Sequence, residues 1–274
     1  MMLSFLRSNF APAFFFLSSE RRKALGILYS VFRVLDDAVD EEFERPQELL
    51  EAWKKVIQTE RPDAVAAFGQ RELAADCLNV IKTYDIQPFV FIDFIEKGVW
   101  MDLVPPRFQT SLEVEDYCYG VAGTVGLASL PIFGVPMNEA KDFAVRLGIA
   151  VQWVNILRDI GYDTRMNRVY LPLDHLEQFG YTMDDLFAHK NSAEFQNLVH
   201  YEAQVARSHF SRAMELLPTP RHRELLPARI MGRIYFSLLE KIERENFPVL
   251  ERKVRLSLFE KGKAVWASLK EPHA

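Results

Sequence analysis

The chain has 274 residues, with 33 Lys and Arg against 38 Asp and Glu, for a formal charge of −5. Hydrophobic residues at 49% and charged residues at 26% exclude a disordered chain, and the mild acidity excludes the basic footprint of a nucleic-acid binder. Two cysteines exclude a disulfide scaffold or a four-thiolate metal site, and the length is enough to bury a substantial core.

The N-terminal stretch is rich in Phe (Phe10, Phe14, Phe15, Phe16) but lacks the basic start and small-residue cleavage site of a signal peptide. No segment approaches the ~18 uncharged apolar residues of a membrane span. Cys77 and Cys118 read as reduced thiols, so the expected setting is cytoplasmic. From 20 to 41, Leu25, Leu28, Tyr29, Phe32, Leu35 and Val39 recur at three- and four-residue steps, the period of an amphipathic helix. Pro46 suits the first turn of a second helix that ends before Pro62. Further helices are predicted over 64–84 and 88–103, the latter stopped by Pro105 and Pro106. Residues 114–133 are small, apolar and Gly-bearing, and Asn138 is placed to cap a long helix reaching Tyr162. A polar, Arg-rich loop follows over 164–172, and helices resume over 193–217, 221–246 and 248–269. No alternating run bounded by hairpin turns interrupts this series, and no linker or repeat divides it. The expectation is an all-α chain of one domain.

Two acidic groups stand out. Asp36 and Asp40 leave one helix face about 6 Å apart along the axis, with Asp37 between them and Arg33 one turn before. Like charges at that spacing destabilise a helix unless something offsets them. A solvated acidic face paired with Arg33 does so, and so does a Mg²⁺ ion that completes its shell with water and phosphate oxygens. In the second group Gln152, Asn155, Asp159 and Asp163 form one stripe down a helix otherwise apolar at Val151, Val154, Ile156, Leu157 and Ile160. Buried amides and carboxylates are costly unless paired or metal-bound. A polar network between helices and a metal site both satisfy that demand. Two such helices together suggest a cavity holding a metal-bound diphosphate.

The segments Tyr29-x-x-x-Arg33-x-x-Asp36-Asp37-x-x-Asp40, Tyr117-Cys118-Tyr119-Gly120-Val121-Ala122-Gly123-Thr124-Val125-Gly126 and Gln152-x-x-Asn155-Ile156-Leu157-Arg158-Asp159, followed by Arg168-Val169-Tyr170-Leu171-Pro172, resemble the squalene/phytoene synthase family. The resemblance runs from about Asn9 to Phe247, with the motifs in family order. It implies an isoprenoid-synthase helical fold around a central apolar cavity and Mg²⁺-dependent head-to-head condensation of two prenyl diphosphates. The bacterial members that make presqualene diphosphate, dehydrosqualene or phytoene are the nearest in pattern. The resemblance implies Asp36, Asp37, Asp40, Asn155, Asp159 and Asp163 as metal ligands, and Tyr29, Arg33, Tyr117, Arg158 and Tyr235 as catalytic. It implies Asn9, Phe10, Val121, Val125, Gln152, Arg168 and Tyr170 at the substrate. There are departures: Asn9 stands in a segment that is Ser-rich in many members, Phe32 takes the place of a Cys, and Tyr162 the place of a Glu.

The expected reaction joins two farnesyl diphosphates through presqualene diphosphate. Two geranylgeranyl diphosphates, hydrolysis of a single prenyl diphosphate, and a non-enzymatic assembly role are the alternatives. No dinucleotide fingerprint supports NADPH, which squalene synthases of the family bind without one. The six histidines show no zinc spacing. Over 251–270 the chain is locally basic (Arg252, Lys253, Arg255, Lys261, Lys263, Lys270), which suits either a solvated helix face or contact with anionic lipid.

Overall fold

The computed structural model describes residues 11–40 and 44–270. Asn9 and Phe10 therefore lie outside the described residues, as does the side chain of Asp40. Thirteen α-helices follow in order among the described residues. They are α1 (Ala11–Phe14), α2 (Ser19–Asp40), α3 (Pro46–Thr59), α4 (Arg71–Tyr84), α5 (Phe89–Asp93), α6 (Ser111–Cys118), α7 (Thr124–Phe133), α8 (Met137–Arg165), α9 (Leu173–Gln178), α10 (Met183–Phe187), α11 (Ala193–Glu215), α12 (Leu226–Arg244) and α13 (Leu258–Lys270). The described residues hold no strand, only an isolated bridge between Arg107 and Val169. The all-α expectation is met.

Local chemistry accounts for the clearest ends. Pro46 opens α3 at its first turn, and Glu60 closes it in the left-handed region at φ 56°. Ser192 accepts from the Phe195 N–H to start α11, and Thr182 with Asp185 forms a capping box on α10. Several predicted boundaries are corrected. The helix expected over 64–84 is split, because Gly69 turns left-handed at φ 69° between a 3₁₀ segment (Pro62–Phe68) and α4. The segment over 88–103 passes from α5 into a π turn (Phe94–Gly98) and a 3₁₀ turn (Val99–Leu103), and a second π turn (Tyr119–Gly123) divides α6 from α7. Asn138 caps nothing: α8 begins one residue earlier, after Pro136, and runs on to Arg165. At the end of the chain, Pro248–Leu250 form a 3₁₀ turn separated from α13 by an irregular stretch. The short helices α9 and α10 fall where no helix is predicted.

The 29-residue α8, about 43 Å long, is the axis of the molecule. Trp153, Val154 and Leu157 on it are essentially fully buried. It packs against α7, α11, α12 and the second π turn. Gly148 is the point of closest approach to that turn: a Cβ there would lie 2.6 Å from the Ala122 carbonyl oxygen. The helices α2, α7, α8 and α12, with the second π turn, enclose a cavity of about 590 Å³.

Candidate active site

The cavity has a charged end and an apolar end. At the charged end α2 contributes Tyr29, Arg33 and Asp36, while α8 contributes Gln152, Asn155, Arg158, Asp159 and Asp163. Toward the other end the lining is Leu25, Phe14, Leu130, Phe133 and Phe143. Arg21, at the start of α2, donates to the Phe133 carbonyl at 3.1 Å, so Phe133 stands at the Leu25 end of that helix, far from Asp36.

The two acidic groups are held by the chain's own cations. Arg33 spans Asp36 (3.4 Å) and Asp37 (Nε to Oδ2, 3.0 Å). Burial opposes the charge on Arg33, and Asp37 and Asp36 together outweigh it, so its pKa is raised. Asp36 lines the cavity. Asp37 does not: one residue further on, about 100° around the helix, it braces Arg33 from the side. On α8 the guanidinium of Arg158 meets both oxygens of Asp159, at 2.8 and 2.5 Å. Lys253 Nζ lies 3.0 Å from Asp159 Oδ1. That contact depends on Gly161, where a Cβ would fall 2.5 Å from the Leu250 carbonyl oxygen; only glycine lets the C-terminal segment close on α8 there. Arg168 donates to the Val39 carbonyl at 2.8 Å, tying the 166–172 loop to the end of α2.

One polar atom lining the cavity has no partner among the described residues. Asn155 Nδ2 donates to Gln152 Oε1 at 3.1 Å, but Asn155 Oδ1 is buried and accepts nothing. Such an oxygen is costly unless a cation or donor arrives. Among the described residues no three His, Cys, Asp or Glu side chains converge into a ready metal cage. The chemistry of the donor set still fits Mg²⁺, which binds through one or two carboxylates and completes its octahedron with substrate phosphates and water. Asp36, Asn155, Asp159 and Asp163 line the cavity from two helices and present four oxygen-bearing side chains for it.

The wall beyond the charged end is aromatic. Tyr117 and Tyr170 stack with ring centroids 5.2 Å apart, and both donate their hydroxyls to Asp102, at 2.9 and 2.7 Å. Burial first, then Asp102, pushes both tyrosine pKa values well up, so neither ionises. With both protons directed at one carboxylate, the two oxygens offer only lone pairs elsewhere. Asp102 itself is buried and lines the cavity. The sequence reading missed it. Its one signal is an acid inside the apolar run Trp100-Met101-Asp102-Leu103, and its partners lie 15 and 68 residues away. Tyr29 and Tyr235 also line the cavity, as do Val121, Val125, Arg168 and Tyr170. Burial raises the pKa of Tyr29. Tyr162, 57% exposed, sits at the rim.

The family model for squalene/phytoene synthase matches residues 7–260. The chain belongs to the squalene/phytoene synthase family. It is 33% identical over 249 residues to the 15-cis-phytoene synthase of Synechocystis, covering 85% of this chain and 72% of that protein. To the phytoene synthase of Thermus thermophilus it is 34% identical over 268 residues, covering 95% and 89%. The crystal structure of a dehydrosqualene synthase superposes with a TM-score of 0.83 at 23% identity, covering 95% of this chain and 90% of that one, which shows the shared fold. Members of the squalene/phytoene synthase family are divalent-metal-dependent prenyltransferases acting on prenyl diphosphates, and the chain is a prenyltransferase of that class. No helix among the described residues is long and apolar enough to cross a membrane.

Proposed function

We propose that this squalene/phytoene synthase family member joins two farnesyl diphosphates head to head, with Mg²⁺, through presqualene diphosphate. The observation that carries the reading is a cavity with acid and amide at one end and an apolar body behind it. In the first step the C1–O bond of one substrate breaks and its electron pair leaves with diphosphate. The double bond of the second substrate attacks the allylic cation, and loss of one proton closes the cyclopropane. Mg²⁺, when bound, neutralises the diphosphate and favours that departure. Asp36, Asn155, Asp159 and Asp163 are the proposed ligands among the described residues, with Asp37 bracing Arg33 and Asp40 completing the family pattern.

Arg33, Arg158, Arg168 and Lys253 supply fixed positive charge where the leaving group gains negative charge, the kind of electrostatic assistance that lowers such barriers most. Gln152 orients Asn155. Behind them Tyr29, Tyr117, Tyr170 and Tyr235 face the cation with rings and oxygen lone pairs. The apolar walls, Val121 and Val125 among them, keep out the water that would capture it as an alcohol.

The span of α2 along the cavity supports the shorter chain. Leu25 and Asp36 are separated by about 16 Å along the axis, and Phe14 and Phe133 stand at the Leu25 end. An extended farnesyl main chain, with bonds of about 1.5 Å, reaches roughly 14 Å, and geranylgeranyl roughly 19 Å. The names of the phytoene synthases quoted above favour the longer substrate, which is the second reading. The proposed enzyme is one domain working in the cytoplasm, with Cys77 and Cys118 as buried reduced thiols.

Purified protein is incubated with Mg²⁺ and either farnesyl or geranylgeranyl diphosphate, with and without NADPH, and products are identified by mass. Presqualene diphosphate from the shorter substrate supports the proposal. Phytoene-type product from the longer one alone moves the assignment to the second reading, prenyl alcohol alone points to hydrolysis, and no diphosphate release from either ends the enzymatic reading.

A further inference from the structure

The apolar end of the cavity lies beneath a surface whose side chains point the wrong way for water. On α13, Leu258 (87% exposed), Phe259 (72%), Trp266 (59%) and Leu269 face outward, while Ala264 and Ser268 are buried. At about 100° per residue these four fall on one face of the helix, flanked by Lys263 and Lys270. Both lysines lie over the aromatics, Lys263 4.6 Å from the Phe259 ring centroid and Lys270 3.7 Å from that of Trp266. Glu260, the one acid among the described residues of α13, is taken up by Lys241 at 2.8 Å.

The surface is continuous with the cavity wall. Helices α12 and α13 run antiparallel: Lys241 near the end of α12 meets Glu260 near the start of α13, and Arg229 near the start of α12 donates to the Ser268 carbonyl at 3.2 Å. Pro227, Ala228 and Met231, beside Arg229, line the cavity. Helix α1 packs against both α12 and α13. Its last residue, Phe14, is buried in the cavity, while the next two, Phe15 (66%) and Phe16 (44%), are exposed. Arg22 lies 5.7 Å from the Phe15 ring centroid and donates to the Phe14 and Leu17 carbonyls. One layer of helix thus separates the apolar end of the cavity from an apolar face set with cations.

The geometry points to this α1–α13 face as a docking surface for an anionic lipid bilayer, set over the apolar end of the cavity. Aromatic and leucine side chains enter the interface, and Lys263, Lys270 and Arg22 remain at the level of the headgroups, where anionic lipid attracts them. Lipid rather than a protein partner is the occupant because each cation already rides on an exposed aromatic ring, the arrangement of an interfacial helix. The location gains its use from the proposed function, since a water-insoluble product then forms one helix away from lipid; the docking itself does not depend on that reading.

The test is binding of the full chain to extruded phosphatidylglycerol vesicles, followed by flotation, with phosphatidylcholine vesicles as the neutral comparison. Binding to the anionic vesicles, weakened by salt, is expected. The double variant Phe259→Ser/Trp266→Ser, at two exposed positions outside the catalytic machinery, is expected to bind at least about tenfold more weakly with unchanged circular dichroism and unchanged turnover in solution. Brominated lipid is expected to quench wild-type tryptophan fluorescence far more than that of Trp266→Phe, because Trp53 and Trp153 are buried and the half-buried Trp100 lies under Lys54 of α3, in a segment that packs on α2 and α3. Wild-type protein that fails to float with anionic vesicles overturns the proposal, as does a double variant that binds as well as wild type. So does a concentration-dependent dimer that the double variant abolishes in the absence of any vesicle binding. Loss of prenyltransferase activity in the wild type would bear on the proposed function alone and leaves the vesicle result standing.

Discussion

Helix α8 carries polar groups on two opposite sides, and they differ in how completely they are satisfied. On the outer side Trp153 Nε1 donates to Glu202 Oε2 at 2.9 Å, and His175 Nδ1 lies 2.7 Å from Glu202 Oε1. Glu202 is wholly buried, and both its oxygens have partners. On the cavity side Asn155 Oδ1 is buried without one among the described residues, although Asp159 one turn further on has both its oxygens matched by Arg158 and Lys253. A buried polar group whose every atom is matched holds helices together. One left unmatched beside a cavity is waiting for a ligand. The charge on α8 alone does not tell the two apart; the state of its partners does.

The comparison yields experiments in descending size of effect. Asn155→Ala, which leaves the Arg158–Asp159 pair intact, is expected to lower turnover by about a thousandfold while the unfolding free energy stays within about 1 kcal/mol of wild type, measured by steady-state kinetics and denaturant titration. Glu202→Ala is expected to behave in the opposite way. It strands the Trp153 N–H and the His175 ring, costing about 3–5 kcal/mol of stability, with turnover per folded molecule preserved. A Glu202 variant that folds normally but loses turnover would break the distinction.

Asp102 tests the boundary between the two classes, because it is matched and yet lines the cavity. Asp102→Asn puts an amide donor against one tyrosine oxygen, and a loss of turnover of about tenfold to a hundredfold is expected, with a larger share of prenyl alcohol among the products. Product ratios by mass spectrometry decide it: an unchanged ratio with lowered stability would make Asp102 purely architectural.

The smallest effects concern pH. Burial opposes a charge on His175, but Glu202 outweighs it and raises the pKa. The folded state then holds a proton that the unfolded state releases, so this contribution is complete below the ordinary value of about 6.5 and is lost as pH rises through the folded value. His209 goes the other way, lowered mainly by burial. Below about pH 6.5 the unfolded state takes up a proton that folded His209 refuses, and stability falls. Melting curves of His175→Asn and His209→Gln between pH 5 and 8 are expected to lose slopes of opposite sign.

Much of this site was readable in advance. Tyr29, Arg33 and Asp36 on α2 and Gln152, Asn155, Arg158, Asp159 and Asp163 on α8, named from spacing and resemblance, line the cavity, while Asp37 is turned from it and the side chain of Asp40 lies outside the described residues. Periodicity served for α2 and α8 because a helix that buries one face repeats its apolar residues at that interval. It failed over 88–103 and 114–133, where π turns shift the register in the middle of apolar runs, and over 173–192, where α9 and α10 are too short to show a period.

The sequence by itself determined the helical class, the family and the two acidic stripes, because those follow from intervals within single helices. Only the tertiary structure decided that Asp102 gathers Tyr117 and Tyr170, that Lys253 reaches Asp159, and that the Phe14 end of the cavity lies under the exposed face of α13. Each joins residues far apart in the chain, and no local interval encodes which helices will meet.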